Sequence, residues 1–267
     1  IVGDLKYVLP ELTDLLSTEF ADQLPNLTEW WNELNAIRKD YPLGYEKPSD
    51  GLGSPEYVLE RISALTGPDA YYVTGVGQHQ MWGAHYIQQE SPRHFISSAG
   101  LGTMGYGVPA GMGAKVAHPE STVWIIDGDG CFQMTNQELV TCAQNNIPVK
   151  VAIINNSSLG MVRQWQTLFY NERYSNTDLK DGHGTVRIPD FVKLGEAYGC
   201  ATFRCERDED VDATIKAALE INDRPVVIDF TVSPHALVWP MVPAGVSNDK
   251  IWIAKNTSPE FDREGEN

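Results

Sequence analysis

The sequence has no uninterrupted apolar stretch approaching the ~20 residues that a membrane-crossing helix needs, so no span is expected. It is poor in basic residues. Twenty Lys and Arg stand against 36 Asp and Glu, a net charge of −16. Sequence-independent binding to nucleic acid or to an anionic membrane needs clustered cations, and this balance argues against both. An anionic small ligand remains possible, because main-chain N–H groups and a metal ion can supply positive potential locally. There are only four cysteines, Cys131, Cys142, Cys200 and Cys205, and none form a Cys-x-x-Cys pair. That argues against a zinc site or a disulfide framework, and for buried thiols in a reducing, cytoplasmic setting. No signal peptide is expected, and no internal repeat or low-complexity tract stands out. The chain opens Ile1-Val2-Gly3 without Met, as expected of a piece excised from something longer.

What is present changes character along the chain. Residues 1–50 suggest two amphipathic helices, Lys6–Ser17 and Leu27–Arg38, the second with Trp30 and Trp31 expected to pack rather than to bind ligand. A Pro-, Gly-, Asp- and Ser-rich connection follows, from Asp40 to Pro55. From there strands and helices alternate. Short apolar strands are expected at Tyr71–Val73, His94–Ser97, Val123–Ile126, Val149–Ile154, Thr202–Cys205 and Pro225–Val232. Helices are expected from Pro55 (capped by Ser54) to Leu65, Gln80–Gln88, Tyr106–Val116, Thr135–Asn145, Gly160–Phe169, Asp190–Tyr198 and Asp208–Ile221. The alternation predicts a doubly wound, mostly parallel six-stranded α/β sheet with helices on both faces. Three regions result: 1–50 as the end of a preceding domain and a linker, 51–232 as the α/β domain, and 233–267 as a C-terminal extension. Residues 171–188 are polar and aperiodic, a long loop of the kind that often serves as a lid.

The stretch Val123–Asn156 organises the rest. It reads as strand, Gly128-Asp129-Gly130, helix, Pro148, strand, Asn155-Asn156. Thr135 and Glu138 have capping-box spacing for the intervening helix. A parallel crossover brings the C-terminal ends of both strands to one sheet edge. Asp129 and Asn156, 27 positions apart, should therefore converge. A carboxylate and an amide oxygen suit Mg²⁺, which completes its octahedron with phosphate and water. Ordinary turn residues are the plain alternative.

Two glycine motifs give competing ligands. Gly100-Leu101-Gly102-Thr103-Met104-Gly105 matches the G-x-G-x-x-G dinucleotide fingerprint, with Asp127 ending the next strand as a candidate ribose ligand. This points to a nicotinamide-dependent oxidoreductase, or to glycines that merely allow close helix–sheet packing. The second reading uses more of the chain. Gly-Asp-Gly at 128–130, followed after a helix and strand by Asn155-Asn156, resembles the signature of thiamine diphosphate enzymes. In it Asp129 and Asn156 hold the metal, with Ser158 as third ligand through its main-chain carbonyl. N–H groups of the Gly128, Asp129, Gly130 and Cys131 turn face the diphosphate.

Within that class, Gly75-Val76-Gly77-Gln78-His79-Gln80-Met81-Trp82, Gly100 to Gly107, Gly128 to Met134 and Gly160-Met161-Val162-Arg163-Gln164-Trp165-Gln166 resemble the large catalytic subunit of acetohydroxyacid (acetolactate) synthases. The likeness runs through most of residues 50–240. It implies decarboxylation of pyruvate on thiamine diphosphate and transfer of the hydroxyethyl group to a second 2-keto acid, pyruvate or 2-ketobutyrate, in branched-chain amino-acid synthesis. It places Gln78 and His79 near the diphosphate, and Gly102 and Met104 along the cofactor, with Met104 bending it. Leu159, Gly160 and Met161 close over the diphosphate, and Trp165 selects the second keto acid. Core packing is the plain alternative for Met104 and Trp165, and a turn histidine, still open to pH sensitivity, for His79.

The resemblance also implies what is missing. An activating glutamate comes from the N-terminal domain of a neighbouring subunit, so the chain alone should be inactive and the assembly at least a homodimer. FAD binds mostly in an absent middle domain, and a regulatory subunit is possible. Another thiamine diphosphate carboligase or pyruvate oxidase, and a cofactor-free interaction domain of the same fold, are the remaining alternatives.

Overall fold

The computed structural model describes residues 1–179 and 188–259. The chain divides into two compact units, Ile1–Gly44 and Tyr45–Asn267. The first contains helices α1 (Leu5–Thr18) and α2 (Thr28–Asp40), neither with a buried residue. Trp30 and Trp31 are about half exposed. No helix among the described residues is long and apolar enough to cross a membrane.

The second unit is built on six parallel strands: β1 (Tyr71–Thr74), β2 (Phe95–Ser97), β3 (Val123–Gly128), β4 (Lys150–Asn155), β5 (Ala201–Cys205) and β6 (Val226–Thr231). Their order is β2-β1-β3-β4-β6-β5, and every pairing is parallel. All residues of β3 and β4 are buried, the pattern of strands covered on both faces. Side chains alternate between two cores. Trp124, Ile126, Ala152 and Ile154 face α3 (Pro55–Thr66), α4 (Gln78–Tyr86) and α10 (Asp208–Glu220). Ile125, Val151 and Ile153 face α5 (Gly107–Ala117), α7 (Glu138–Gln144) and α9 (Phe191–Ala197). Each buried Val, Ile or Leu stabilises by about 1.5–3 kcal/mol, so this double layer fixes the sheet edge on which the site is built. All four cysteines are free and buried, as expected.

The chain passes from β1 to β2 on one side of the sheet, then returns to place β3 on the other side of β1. This reversal opens a crevice at the C-terminal ends of β1 and β3, the place where ligands bind in open α/β sheets. It also removes the basis of the dinucleotide fingerprint. The glycine turn follows β2 and Asp127 lies near the end of β3, and β1 lies between them. Asp127 is fully buried, with Gly75 and Gly107 packed on its carboxyl so closely that a Cβ on either would collide with it. It has no path to a ribose.

Two expected caps are also corrected. Ser54 precedes α3 but its hydroxyl bonds the Asp208 carboxylate at 3.1 Å rather than the helix. Thr135 donates to the Gly105 carbonyl at 2.8 Å, and α7 begins only at Glu138, so no capping box forms. In both cases an acceptor distant in sequence orients the hydroxyl, and no local N–H donates to it.

Candidate functional site

Three strand ends build the site. After β1, Gly75-Val76-Gly77 leads directly into α4, which begins at Gln78, two residues before the expected start. Gln78 and His79 therefore lie in the first turn of a helix, whose N–H groups have no intrahelical acceptors. After β3, Asp129 opens the four-residue helix α6 (Asp129–Phe132). At the end of β4, Asn155 and Asn156 diverge. Asn155 Nδ2 donates to Asp229 Oδ1 on β6 at 2.9 Å, while Asn156 turns toward Gln78. Ser157 takes a positive φ of 56°, and its N–H donates to Asn155 Oδ1, which tightens the turn into α8 (Gly160–Phe169).

These ends enclose a cavity of ≈ 230 Å³. Every residue that the thiamine diphosphate reading singled out lines it: Gln78, His79, Gly102, Met104, Gly128, Asp129, Gly130, Cys131, Asn156, Ser158, Leu159, Gly160, Met161 and Trp165. Val76, Gly77, Trp82, Ile154 and Val162 line it too, and were not singled out. The glycines leave room that a side chain would remove. A Cβ on Gly130 would sit 2.7 Å from Leu159, and one on Gly160 would sit 2.0 Å from Gln78 Oε1.

The polar floor suits a cation and an anion together. Asp129 is 1% exposed. Its Oδ1 accepts from the Gly130 N–H at 3.0 Å, and its Oδ2 has no hydrogen-bond partner among the described residues. Burial pushes this carboxyl up to about 7, the state of an acid deprived of a counter-charge. Asn156 Oδ1 accepts from the Ser158 N–H at 3.1 Å and retains a second lone pair. The Ser158 hydroxyl donates to the Thr177 carbonyl at 3.0 Å. Among the described residues lining the cavity there is no Lys or Arg. A bound phosphate must then be neutralised by N–H groups and a metal ion. An oxygen-rich set with one orphaned carboxylate oxygen fits Mg²⁺.

His79 is 5% exposed, and burial pushes it down to about 3, so it is neutral at physiological pH. The pH sensitivity considered for it is therefore not supported. Its Nε2 lies 3.6 Å from Asp127 Oδ1, too long for a hydrogen bond. His79, Asp127 and Cys131 bring ligand atoms within 4.8 Å of one another. Cys131 Sγ, however, already accepts from the Val76 and Gly105 N–H groups, so this is a packed cluster beneath the cavity.

The profile of a family described as "Thiamine pyrophosphate enzyme, C-terminal TPP binding domain" matches residues 75–230. The chain belongs to this family. As a thiamine pyrophosphate (thiamine diphosphate) enzyme domain it has close relatives. It is 58% identical over 266 residues to an acetolactate synthase of Mycobacterium leprae, covering 100% of this chain and 42% of that protein. It is 51% identical over 262 residues to the acetolactate synthase large subunit of Corynebacterium glutamicum (98% and 41%). It is 43% identical over 256 residues to that of Porphyra purpurea (96% and 42%). The chain thus spans about two-fifths of the length of the relatives it matches.

The loop expected at 171–188 is described only to residue 179. Its near part pairs with the site: Leu159 N–H donates to the Thr177 carbonyl at 2.8 Å, and Leu179 N–H to the Ser157 carbonyl at 3.1 Å. Residues 180–187, and 260–267 of the expected C-terminal extension, lie outside the described residues. Within the segment after β6, Val238 is fully buried and Met241 is 8% exposed. One residue was missed altogether. Gln164, 2% exposed on α8, bonds both Gln78 and Val238. It lies inside the quoted α8 motif, but no local pattern marks it out.

Proposed function

We propose that this chain is the cofactor-binding part of an acetolactate synthase large subunit. The whole protein would decarboxylate pyruvate and join the hydroxyethyl group to pyruvate or 2-ketobutyrate in branched-chain amino-acid synthesis. The observation that carries the reading is the cavity at the β1–β3 reversal, where Asp129 keeps an unpartnered buried oxygen. Thiamine diphosphate, when bound, supplies the electron sink for decarboxylation. The chain's residues bind and orient. Asp129, Asn156 and the Ser158 carbonyl hold Mg²⁺. The first-turn N–H groups of α4, at Gln78 and His79, and the turn at 128–131 receive the diphosphate. Gln78 acts there through its main chain, because both hydrogens of its amide are engaged, with Gln164 and the Ala236 carbonyl. Gly102 and Met104 flank the cofactor's middle, with Met104 bending it. Leu159, Gly160 and Met161 cover the diphosphate. Trp165, 43% exposed at the cavity mouth, selects the alkyl group of the second keto acid.

The cavity is smaller than the ~300–1,000 Å³ usual for cofactor pockets, which supports a site completed from elsewhere. We assign residues 1–50 to the end of a middle domain that carries most of an FAD site, 51–232 to the cofactor domain and 233–267 to an extension. The activating glutamate would come from the N-terminal domain of a neighbouring subunit in a homodimer or larger cytoplasmic assembly, with a regulatory subunit as a further partner. Free buried cysteines support the reducing compartment.

Thermal shift tests the cofactor. Thiamine diphosphate with Mg²⁺ should raise Tm and NAD should not, since a ligand stabilises only the fold that binds it. The reverse pattern refutes the reading. The purified 267-residue chain should form no acetolactate from pyruvate, and its appearance in a colorimetric assay would show that no second domain is needed.

A further inference from the structure

A side-chain amide can face a cation with its oxygen or with its NH₂, and only the oxygen is a ligand. For Asn156 the choice is tied to main chain more than 70 residues away. Asn156 Nδ2 donates to Gln78 Oε1 at 3.1 Å. Gln78 Nε2 donates to Gln164 Oε1 at 2.8 Å and to the Ala236 carbonyl at 3.1 Å. Gln164 meets groups whose polarity is fixed. The Val238 N–H donates to its Oε1 at 2.9 Å, and its Nε2 donates to the Val238 carbonyl at 3.2 Å and to Met241 Sδ at 3.3 Å. Reversing any one of the three amides sets donor against donor or acceptor against acceptor at the next. Gln164, Gln78 and Asn156 are 2%, 4% and 8% exposed, so water cannot repair such a mismatch.

We propose that Gln164 is a positioning residue for the metal site: through Gln78 it fixes the Asn156 amide with Oδ1 toward the cation. Val238 sets the polarity, Gln164 and Gln78 transmit it, and the Ser158 N–H holds Asn156 from the other side. The site thereby depends on the docking of the segment after β6. This inference rests on the reading of the cavity as a magnesium and thiamine diphosphate site.

The test uses the full-length protein containing this chain, freed of metal, with thiamine diphosphate present and Mn²⁺ as probe. Free Mn²⁺ is read by electron paramagnetic resonance, and the Tm of each apoprotein is measured alongside. Gln164→Met fills the same space without an acceptor. Gln164→Glu, held protonated by burial, keeps an acceptor toward both the Val238 and Gln78 N–H groups and a donor toward the Val238 carbonyl. Supporting groups around metal ligands typically govern 10–100-fold in affinity. Gln164→Met should therefore weaken Mn²⁺ by about tenfold or more, while Gln164→Glu stays close to the parent. If the methionine variant does not fold, Gln164→Asn withdraws the acceptor while remaining polar and takes its place. Parent-like Mn²⁺ binding by Gln164→Met, or an equal loss in Gln164→Glu, overturns the proposal. A parent that binds no Mn²⁺ overturns the reading of the cavity instead.

Discussion

Replacing Asp129 by Asn should stabilise the ligand-free protein at alkaline pH while abolishing its response to magnesium. The parent buries a carboxylate at 1% exposure with Oδ2 unpartnered, and burial raises its pKa from 3.8 to about 7. A carboxyl raised on folding contributes stability that is fully present below its unfolded value. That contribution is lost as pH climbs through the folded value. A rise of about three units costs about 4 kcal/mol at pH 8, most of which accrues above pH 5. Asparagine keeps the acceptor for the Gly130 N–H and sheds the charge. Its NH₂ inherits the orphaned position, a cost of about 1–3 kcal/mol at every pH. Relative to the parent, the variant should thus gain about 3 kcal/mol between pH 5 and pH 8. At 2–4 °C per kcal/mol, this is roughly 6–12 °C in Tm. The assay is thermal unfolding of both proteins in chelator at the two pH values, then at pH 8 with Mg²⁺ and thiamine diphosphate. Only the parent should gain Tm on adding ligand. Parallel pH curves for the two proteins, or a retained magnesium shift in the variant, would refute the argument.

Two other substitutions separate binding from stability. In Gly160→Ala the new Cβ would lie 2.0 Å from Gln78 Oε1 and 2.6 Å from Asn156 Nδ2. It should part that hydrogen bond, cost about 1–3 kcal/mol of stability by overpacking, and weaken magnesium-dependent cofactor binding in calorimetric titration; unchanged affinity would count against the geometry. Glu56, 7% exposed and outside the cavity, is pushed up to about 7 by burial and then by neighbouring Asp208. Its contribution is lost as pH rises from about 4.5 to about 7, so Glu56→Gln should gain up to about 3 kcal/mol at pH 8 and little at pH 4.5. Urea midpoints read this, and cofactor affinity should not move.

The sheet was legible because its central strands are buried on both faces. Runs such as Val123–Ile126 and Val149–Ile154 have no reading other than core, and all six expected strands exist within a residue or two of their observed ends. Helix α8 begins and ends where the sequence places it, at Gly160 and Phe169. Hydroxyl caps were misread for a physical reason. A Ser or Thr before a helix takes whichever acceptor the tertiary structure offers, and Asp208 lies 154 positions from Ser54. Gln164 was invisible for the same reason, since its partners on Val238 lie 74 positions away. No local pattern encodes a bond of that range.

The two glycine motifs show what a motif does and does not determine. Each correctly marks a strand end, and each places an acidic residue where a ligand is plausible. Which ends meet is decided by strand order, and that order depends on which helices pack on which face. With β1 between β2 and β3, Asp127 is sealed under Gly75 and Gly107, while Asp129, two residues on, opens into the crevice. The Asn-Asn pair divides in the same way. Successive residues at a strand end point to opposite sides, so Asn155 is spent on Asp229 in the sheet and only Asn156 reaches the cavity. The amide that arrives there must still present its oxygen. That last requirement is met by Val238, Gln164 and Gln78, residues that the strand-end signature does not contain.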